Sequence, residues 1–231
     1  DLFDRTSYFF GGGLDFKFNR KISLSLDYVR EIKNYRDIAD PASQTLSSLD
    51  NIENNFEADV YFRPSKLIKV KLSYDGQDRL YQHKLARDGN GMRTPNTNRR
   101  YWTNLVDLNF YLLPRRASAK FSASVKQRKD RFSDYHDYLQ TELEGSLELT
   151  MSMYSYLDFN IERSWKDYDK LEVSGSTLSN RYLTIEASIG FFMTRNVTLQ
   201  AQYVHDRESS TADVFNYHRN IVLAKLRYSL D

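Results

Sequence analysis

The residues most capable of chemistry are scattered along this chain. The four histidines are His83, His136, His205 and His218, and none has a partner at the spacing of a metal site. The chain has no cysteine, which excludes a thiolate nucleophile, a thiolate metal site and a disulfide framework. No nucleophile elbow, phosphate loop or HExxH pattern occurs. We therefore expect no enzymatic activity, no metal site and no cofactor.

Charged side chains form the more informative pattern, because they recur at alternate positions between apolar residues. In the last such run, Lys225 and Arg227 alternate with Ala224, Leu226 and Tyr228. This alternation is typical of strands with one polar and one apolar face. The polar face lines the lumen in a barrel and is the solvated surface in a soluble sandwich, and periodicity alone leaves both readings open. The predicted lumen-lining residues are Asp27, Glu57, Asp59, Lys69, Lys71, Asp107, Lys120, Lys126, Glu142, Glu144, Glu148, Asp158, Glu186, Lys225 and Arg227.

The same period of two extends along almost the whole chain and predicts about eleven strands. No stretch approaches the roughly 20 apolar residues of a membrane helix. The predicted strands are residues 7–18, 22–36, 54–63, 67–82, 100–113, 117–132, 138–151, 154–168, 181–193, 197–208 and 216–230.

The connections between these strands alternate in length. The short turns are residues 19–21, 64–66, 114–116, 152–153 and 194–196. The longer polar loops are residues 37–53, 83–99, 133–137, 169–180 and 209–215. Short periplasmic turns and long external loops are typical of outer-membrane barrels. The pattern therefore predicts an all-β, antiparallel, up-and-down transmembrane β-barrel.

The direction of the end strands bears on the strand number. Strand 7–18 and the final strand both run toward the short turns, so a barrel with an even number of strands needs an ascending strand before Asp1. We therefore expect residues 1–231 to be a single barrel domain that lacks one or more N-terminal strands, with 12 or more strands in the complete barrel.

Aromatic residues recur at matching heights on the predicted strands. Tyr28, Tyr74 and Tyr203 each follow a short turn by seven or eight residues, which is a climb on the order of 20 Å along a tilted strand. Other rings lie close to the short turns. These two levels are spaced like the aromatic girdles that border the apolar band of a barrel. The predicted girdle residues are Tyr28, Tyr74, Tyr203, Phe18, Phe62, Phe110 and Phe191.

Composition restricts the possible partners. The chain has 33 basic and 31 acidic side chains, so its net charge of +2 argues against nucleic-acid binding driven by bulk charge. Aromatic residues reach 14% although the mean hydropathy is only −0.66. A barrel explains both values, because only alternate strand residues face lipid. Outer-membrane lipid is therefore the expected partner.

Three segments share one form: an alternating strand, a short basic turn, a second alternating strand that ends in tyrosine, and a charged tip. This form resembles the β-barrel porin families tied to exopolysaccharide export, and it is also similar to the barrels that sheathe multihaem cytochromes. The segments are GGGLDFKFNRKISLSLDYVREIKNYRD, FEADVYFRPSKLIKVKLSYDGQDRLY and RYLTIEASIGFFMTRNVTLQAQYVHDRES.

The resemblance implies a protein of the outer membrane of a Gram-negative-type bacterium. The leading hypothesis is a porin-like conduit for polar solutes or polysaccharide. The alternatives are a structural barrel that sheathes or anchors a periplasmic or outer-membrane partner protein, and a soluble all-β binding domain. The resemblance transfers no catalytic residue.

Overall fold

A computed structural model describes residues 5–35, 50–88, 90–132, 134–173, 175–194 and 196–228. Eleven strands run through these residues, which confirms the expected number. The strands are β1 (Arg5–Lys17), β2 (Ile22–Tyr35), β3 (Asn51–Phe62), β4 (Ile68–Arg87), β5 (Arg93–Leu112), β6 (Ala117–Asp130), β7 (Tyr138–Ser152), β8 (Ser155–Val173), β9 (Ser176–Phe192), β10 (Val197–Ser210) and β11 (Tyr217–Tyr228).

All of these strands belong to one antiparallel sheet whose spatial order is the chain order, β1 to β11. This is the predicted up-and-down meander. In the described part of the chain, β1 pairs only with β2 and β11 pairs only with β10. No helix among the described residues is long and apolar enough to cross a bilayer.

The apolar face of the sheet has no second protein layer in the described residues. Large side chains such as Leu72, Val106 and Leu143 are 45%, 46% and 49% exposed. A soluble sandwich would bury these positions against a facing sheet. Lipid is the solvent that suits a continuous apolar sheet face.

Short turns are fixed by local side-chain hydrogen bonds. At the first turn, the Asn19 side-chain oxygen accepts the backbone N–H groups of Lys21 and Ile22 at 2.7 and 2.9 Å. An asparagine in this role mimics a backbone turn and supplies partners for otherwise unpaired donors. The sequence Asn19-Arg20-Lys21 therefore reverses the chain tightly at the end of β1.

Two predicted loops are largely strand. Residues 83–99 continue β4 and β5, and residues 169–180 continue β8 and β9, so both loop predictions are wrong over most of their length. Backbone pairing persists to Arg87↔Arg93 and to Val173↔Ser176. Gly91 and Gly175 lie at the tips with φ of 80° and 83°, which glycine adopts without strain. Outside the apolar band the strands remain paired. Their sequences no longer alternate between polar and apolar residues there, so the period of two does not identify them.

Smaller differences occur at the other long loops. β3 begins at Asn51, three residues before the prediction, and residues 36–49 of the first loop lie outside the described residues. The last loop contains a short 3₁₀ helix over Asp213–Phe215.

Candidate functional site

All of the predicted lumen-lining residues lie on one face of the sheet, which we call the charged face. The register shows this directly, because directly paired residues point to the same side. For example, Asp107 pairs with Ser73 on β4 and with Ser124 on β6. The pairs that place the others are Asp27↔Glu57, Ser25↔Asp59, Lys69↔Tyr111, Tyr61↔Lys71, Tyr111↔Lys120, Leu105↔Lys126, Ser124↔Glu142, Ser122↔Glu144, Ser118↔Glu148, Glu148↔Asp158, Asn160↔Glu186, Gln200↔Lys225 and Thr198↔Arg227.

One ion pair on this face is well enclosed. Lys71 Nζ lies 2.8 Å from the Asp59 carboxylate, and Asp59 is only 7% exposed. The Tyr61 hydroxyl donates a second hydrogen bond to the same carboxylate at 3.0 Å. The neighbouring Lys69 forms no ion pair with any residue that the structure describes, and its Nζ lies 4.9 and 5.1 Å from the ring centres of Tyr61 and Tyr111. The Asp59–Lys71 ion pair therefore joins the two strands that flank the 64–66 turn.

A second ion pair joins β6 to β7. Lys120 Nζ lies 2.5 Å from Glu144, and the Ser122 hydroxyl donates to the same carboxylate at 3.1 Å. Both contacts run across the ladder between neighbouring strands. Opposite charges at such positions stabilise a sheet face that is partly shielded from water.

Other carboxylates lie beside one another without an intervening cation. Asp27, Glu57 and Asp75 occupy directly paired positions across β2, β3 and β4, and we call them the carboxylate row. Glu148 and Asp158 pair in the same way between β7 and β8. Glu57 has no lysine directly opposite it, because the register places it opposite Asp75. Such a row attracts cations.

The predicted girdle tyrosines lie on the opposite, apolar face. Tyr28 and Phe56 pair directly, as do Tyr74 and Val106. Each tyrosine hydroxyl donates to an asparagine on the next strand, one diagonal step nearer the long loops. The hydrogen bonds are Tyr28–Asn54 at 2.9 Å, Tyr74–Asn104 at 2.7 Å and Tyr203–Asn220 at 2.8 Å.

The predicted girdle phenylalanines lie near the short turns. Phe62 is the last residue of β3, while Phe110 and Phe191 lie within two residues of the ends of β5 and β9. Phe18 lies one residue beyond β1 in the first turn and is 66% exposed. The two ring levels therefore border the apolar face from below and above. We take the segments between them as the membrane-spanning segments.

The apolar face becomes polar beyond the tyrosine level. Asp78 accepts a hydrogen bond from Arg100 Nε at 2.8 Å, and the Arg100 terminal nitrogen makes a second contact with this carboxylate. The hydrogen bond from Arg100 holds the pKa of Asp78 below its usual value. An ionised pair on this face is compatible with water or headgroups and not with hydrocarbon.

The asparagine partners of the tyrosines were not expected from the sequence. Asn54, Asn104 and Asn220 each follow or precede charged and polar residues, so nothing in the alternation distinguishes them. If the two strands of each hairpin were aligned in register, the recurring signal would be a tyrosine at the predicted girdle level and an asparagine two residues from its direct partner on the next strand.

Comparison with known proteins gives a fold and no family. No protein-family model matches the chain, and no curated protein matches it. Among solved structures it is similar to "Copper transporter OprC", at 13% sequence identity and a TM-score of 0.55, over 96% of this chain. The chain spans 41% of the length of that protein.

Two further solved structures are similar at lower scores. One is a loop-deletion mutant of OmpT, an outer membrane protein of Vibrio cholerae, with 8% identity, a TM-score of 0.48, and coverage of 97% of this chain and 96% of the other. The other is LpxR from Salmonella typhimurium, with 8% identity, a TM-score of 0.35, and coverage of 97% and 88%. The chain has the fold of an antiparallel, up-and-down β-barrel of the outer-membrane type.

Proposed function

We propose that this protein is a conduit for polar solutes, polysaccharide among them, across the outer membrane of a Gram-negative-type bacterium. The observation that carries the proposal is the segregation of the two faces. Every predicted lumen residue shares the charged face, while the other face is apolar between its phenylalanine and tyrosine levels. In a closed barrel, the charged face encloses a polar interior and the apolar face contacts lipid.

A cavity on the charged face suits carbohydrate. It has a volume of about 330 Å³, and polar side chains of five strands, β6 to β10, line most of it. Hydroxyl, amide and carboxylate groups together can both donate hydrogen bonds to sugar hydroxyls and accept them. The polar lining residues are Ser118, Ser146, Glu148, Asp158, Asn160, Glu186, Ser188, Gln200 and Gln202.

The test begins with detergent-extracted, full-length protein on a gel. A band that migrates fast without boiling and slows after boiling is expected of a closed barrel. Reconstitution into a planar bilayer should then give conductance that maltooligosaccharides reduce in a concentration-dependent way. A heat-modifiable barrel without conductance that co-purifies with a second protein would favour the structural sheath instead. Extraction without detergent, with no shift on boiling, would overturn both.

A further inference from the structure

A second cavity lies at the loop end of β4 and β5 and is strongly basic. Its volume is about 380 Å³. Lysine and arginine side chains dominate its lining, and no carboxylate contributes to it. The lining residues are His83, Lys84, Leu85, Arg87, Arg93, Arg99 and His136. We call it the basic cavity.

Arg99 is the buried element of this cavity. Only 8% of Arg99 is exposed, and its Nε has no hydrogen-bond partner among the described residues. One terminal nitrogen donates to His136 Nε2 at 2.9 Å. A buried guanidinium whose donors are unused is costly unless an acceptor completes it.

The cations of the basic cavity are not used in ion pairs within the described part of the chain. Lys84, Arg87, Arg93 and Arg99 form no ion pair with any described residue, whereas Lys71 and Lys120 on the same sheet do. Arg87 instead donates to the Gly91 carbonyl at 2.8 Å. The Asp130 carboxylate interacts electrostatically with Arg99 but does not line the cavity. One negative charge offsets only part of the mutual repulsion between four cations, and the remainder is left for a ligand to relieve.

The histidine in the cavity is held in its neutral form. Arginine can only donate hydrogen bonds, so the contact with Arg99 requires His136 Nε2 to be an acceptor. Burial, followed by repulsion from Arg99 and Arg128, lowers the pKa of His136 to about 4. The imidazole therefore orients Arg99 without adding charge of its own at neutral pH.

The neighbouring groups fix this geometry. Arg128 donates to the His136 carbonyl at 3.0 Å, and its guanidinium lies 4.7 Å from the centre of the Tyr101 ring. Tyr101 is 6% exposed and packs edge-on against His136. Cation–π and aromatic contacts of this kind hold the side chains in place before a ligand arrives.

We propose that the basic cavity binds an oxyanionic group, such as phosphate, sulfate or carboxylate, carried by a soluble molecule. The planar donor array of arginine matches these oxyanions, and lysine adds charge. The cavity belongs to the charged face, because Arg99, Tyr101, Thr103 and Asp107 are alternate residues of β5 and point to the same side of the sheet. This position favours a dissolved ligand over a lipid headgroup, which would approach from the apolar face.

The oxyanion is held at this end and not passed along the sheet. The carboxylate row lies deeper on the same face and repels anions. The basic cavity is thus a docking site for an acidic group at the external rim, and it binds whether or not the protein conducts solute.

Isothermal titration calorimetry with inorganic phosphate tests the site on the detergent-extracted, full-length protein. Wild type should bind saturably at one site. The double variant Lys84→Gln, Arg93→Gln removes two cations that are not fully buried, and it should weaken binding at least tenfold. The matched variant Lys21→Gln, Arg63→Gln removes the same charge from two exposed positions near the first short turn and should change binding less than twofold. Heat-modifiability on a gel confirms that each variant folds.

Nanodiscs distinguish the two sources of the anion. Phosphate binding that is equal in zwitterionic and anionic lipid discs would support a dissolved ligand. Loss of phosphate binding only in discs that contain phosphatidylglycerol would identify a lipid headgroup as the occupant and overturn the dissolved-ligand assignment. Absent binding, or equal weakening by both double variants, would overturn the site itself. None of these readouts depends on conductance, so failure of the conduit proposal would be seen separately.

Discussion

The Tyr74 hydroxyl donates to the side-chain oxygen of Asn104 at 2.7 Å, across the β4–β5 ladder and one diagonal step toward the long loops. Trp102 Nε1 donates to the same oxygen, also at 2.7 Å. Both rings therefore lie against the apolar face with their polar atoms directed to one acceptor. Tyrosine and tryptophan occupy membrane interfaces for this reason, since one end is apolar and the other is wet.

The Tyr74–Asn104 hydrogen bond should contribute measurably to stability. We expect Tyr74→Phe to lower the free energy of unfolding by about 0.5–1.5 kcal/mol. Asn104→Ala should cost more, because it leaves both the Tyr74 hydroxyl and the Trp102 indole without their acceptor. Urea unfolding in lipid vesicles measures both changes.

The double variant separates this bond from general effects of each substitution. Tyr74→Phe should add little once Asn104 is alanine, because the hydrogen bond is already lost. Tyr154→Phe, at a 63% exposed ring in a short turn, serves as the control and should be neutral. Strictly additive effects of Tyr74→Phe and Asn104→Ala would contradict a direct interaction.

Adjacent positions on β9 test the assignment of the two faces. Ile185 pairs with Ile161 on the apolar face, and Glu186 pairs with Asn160 on the charged face. We expect Ile185→Arg to cripple membrane assembly, since a cation at mid-bilayer costs roughly 2–4 kcal/mol. Glu186→Arg should assemble normally. The folded fraction after reconstitution measures the assembly of each variant. Equal folded fractions for the two variants would contradict the assignment of Ile185 to the lipid-facing side.

Lys71 should matter more to stability than Lys69. Lys71→Met leaves the enclosed Asp59 carboxylate without its cation, at an expected cost of about 1–3 kcal/mol. Lys69→Met removes only ring contacts and should cost under about 1 kcal/mol. Adding Asp59→Asn to Lys71→Met should restore part of the loss, because it removes the unpaired charge. Urea midpoints of the variants provide the comparison.

Lowering the pH should reduce the free energy of unfolding, because His136 at the loop end of the sheet is held in its neutral form. Its pKa is about 4 in the folded protein and 6.5 in the reference state, so the unfolded chain binds more protons between these values. The contribution of His136 is therefore fully present above about pH 6.5 and is lost as the pH falls toward 4. We expect a loss of roughly 1–3 kcal/mol.

Substitution isolates this histidine from other acid effects. His136→Gln keeps an acceptor for Arg99 and cannot be protonated, so the fall in stability between pH 7 and pH 4.5 should be smaller than in wild type. His83→Gln, at a side chain that is 58% exposed, should leave the wild-type pH dependence intact. Identical pH profiles for all three proteins would show that His136 titrates as an ordinary histidine.

The carboxylate row should make a reconstituted channel prefer cations. Glu57→Gln combined with Asp75→Asn removes two adjacent negative charges from the charged face, and the reversal potential in a KCl gradient should move toward zero. Asp167→Asn removes one charge from the opposite face of β8 and should leave the potential unchanged. A shift caused by Asp167→Asn alone would indicate that surface charge controls selectivity.

The sequence predicted the parts of the fold that depend on alternation. Within the apolar band, period two identified each strand and divided residues such as Ile185 and Glu186 correctly between the faces. Beyond the tyrosine level the strands remain paired, but both faces are polar, so β4 and β8 could not be followed to Arg87 and Val173. Alternation carries no information where no apolar face exists.

Contacts between particular side chains were less accessible than faces. Asp59 and Lys71 flank one short turn and are therefore close in sequence, whereas the carboxylate row requires the exact register of β2, β3 and β4. The Arg99–His136 contact joins residues 37 positions apart across two strands and a loop. No local pattern in the sequence connects them.

Strict chain-order pairing gives this sheet a distinctive mechanical character. Within the described sheet, each strand pairs only with the strands before and after it in the chain, much as repeats in a solenoid contact only their neighbours. Once the ladder that closes the barrel has opened, a pulling force applied at the β11 end would therefore peel β11 from β10 before loading any other ladder, and extraction would proceed strand by strand in reverse chain order. The ladders of the β4–β5 and β8–β9 hairpins extend to the tips. Separating the strands of these two hairpins would therefore require the most force.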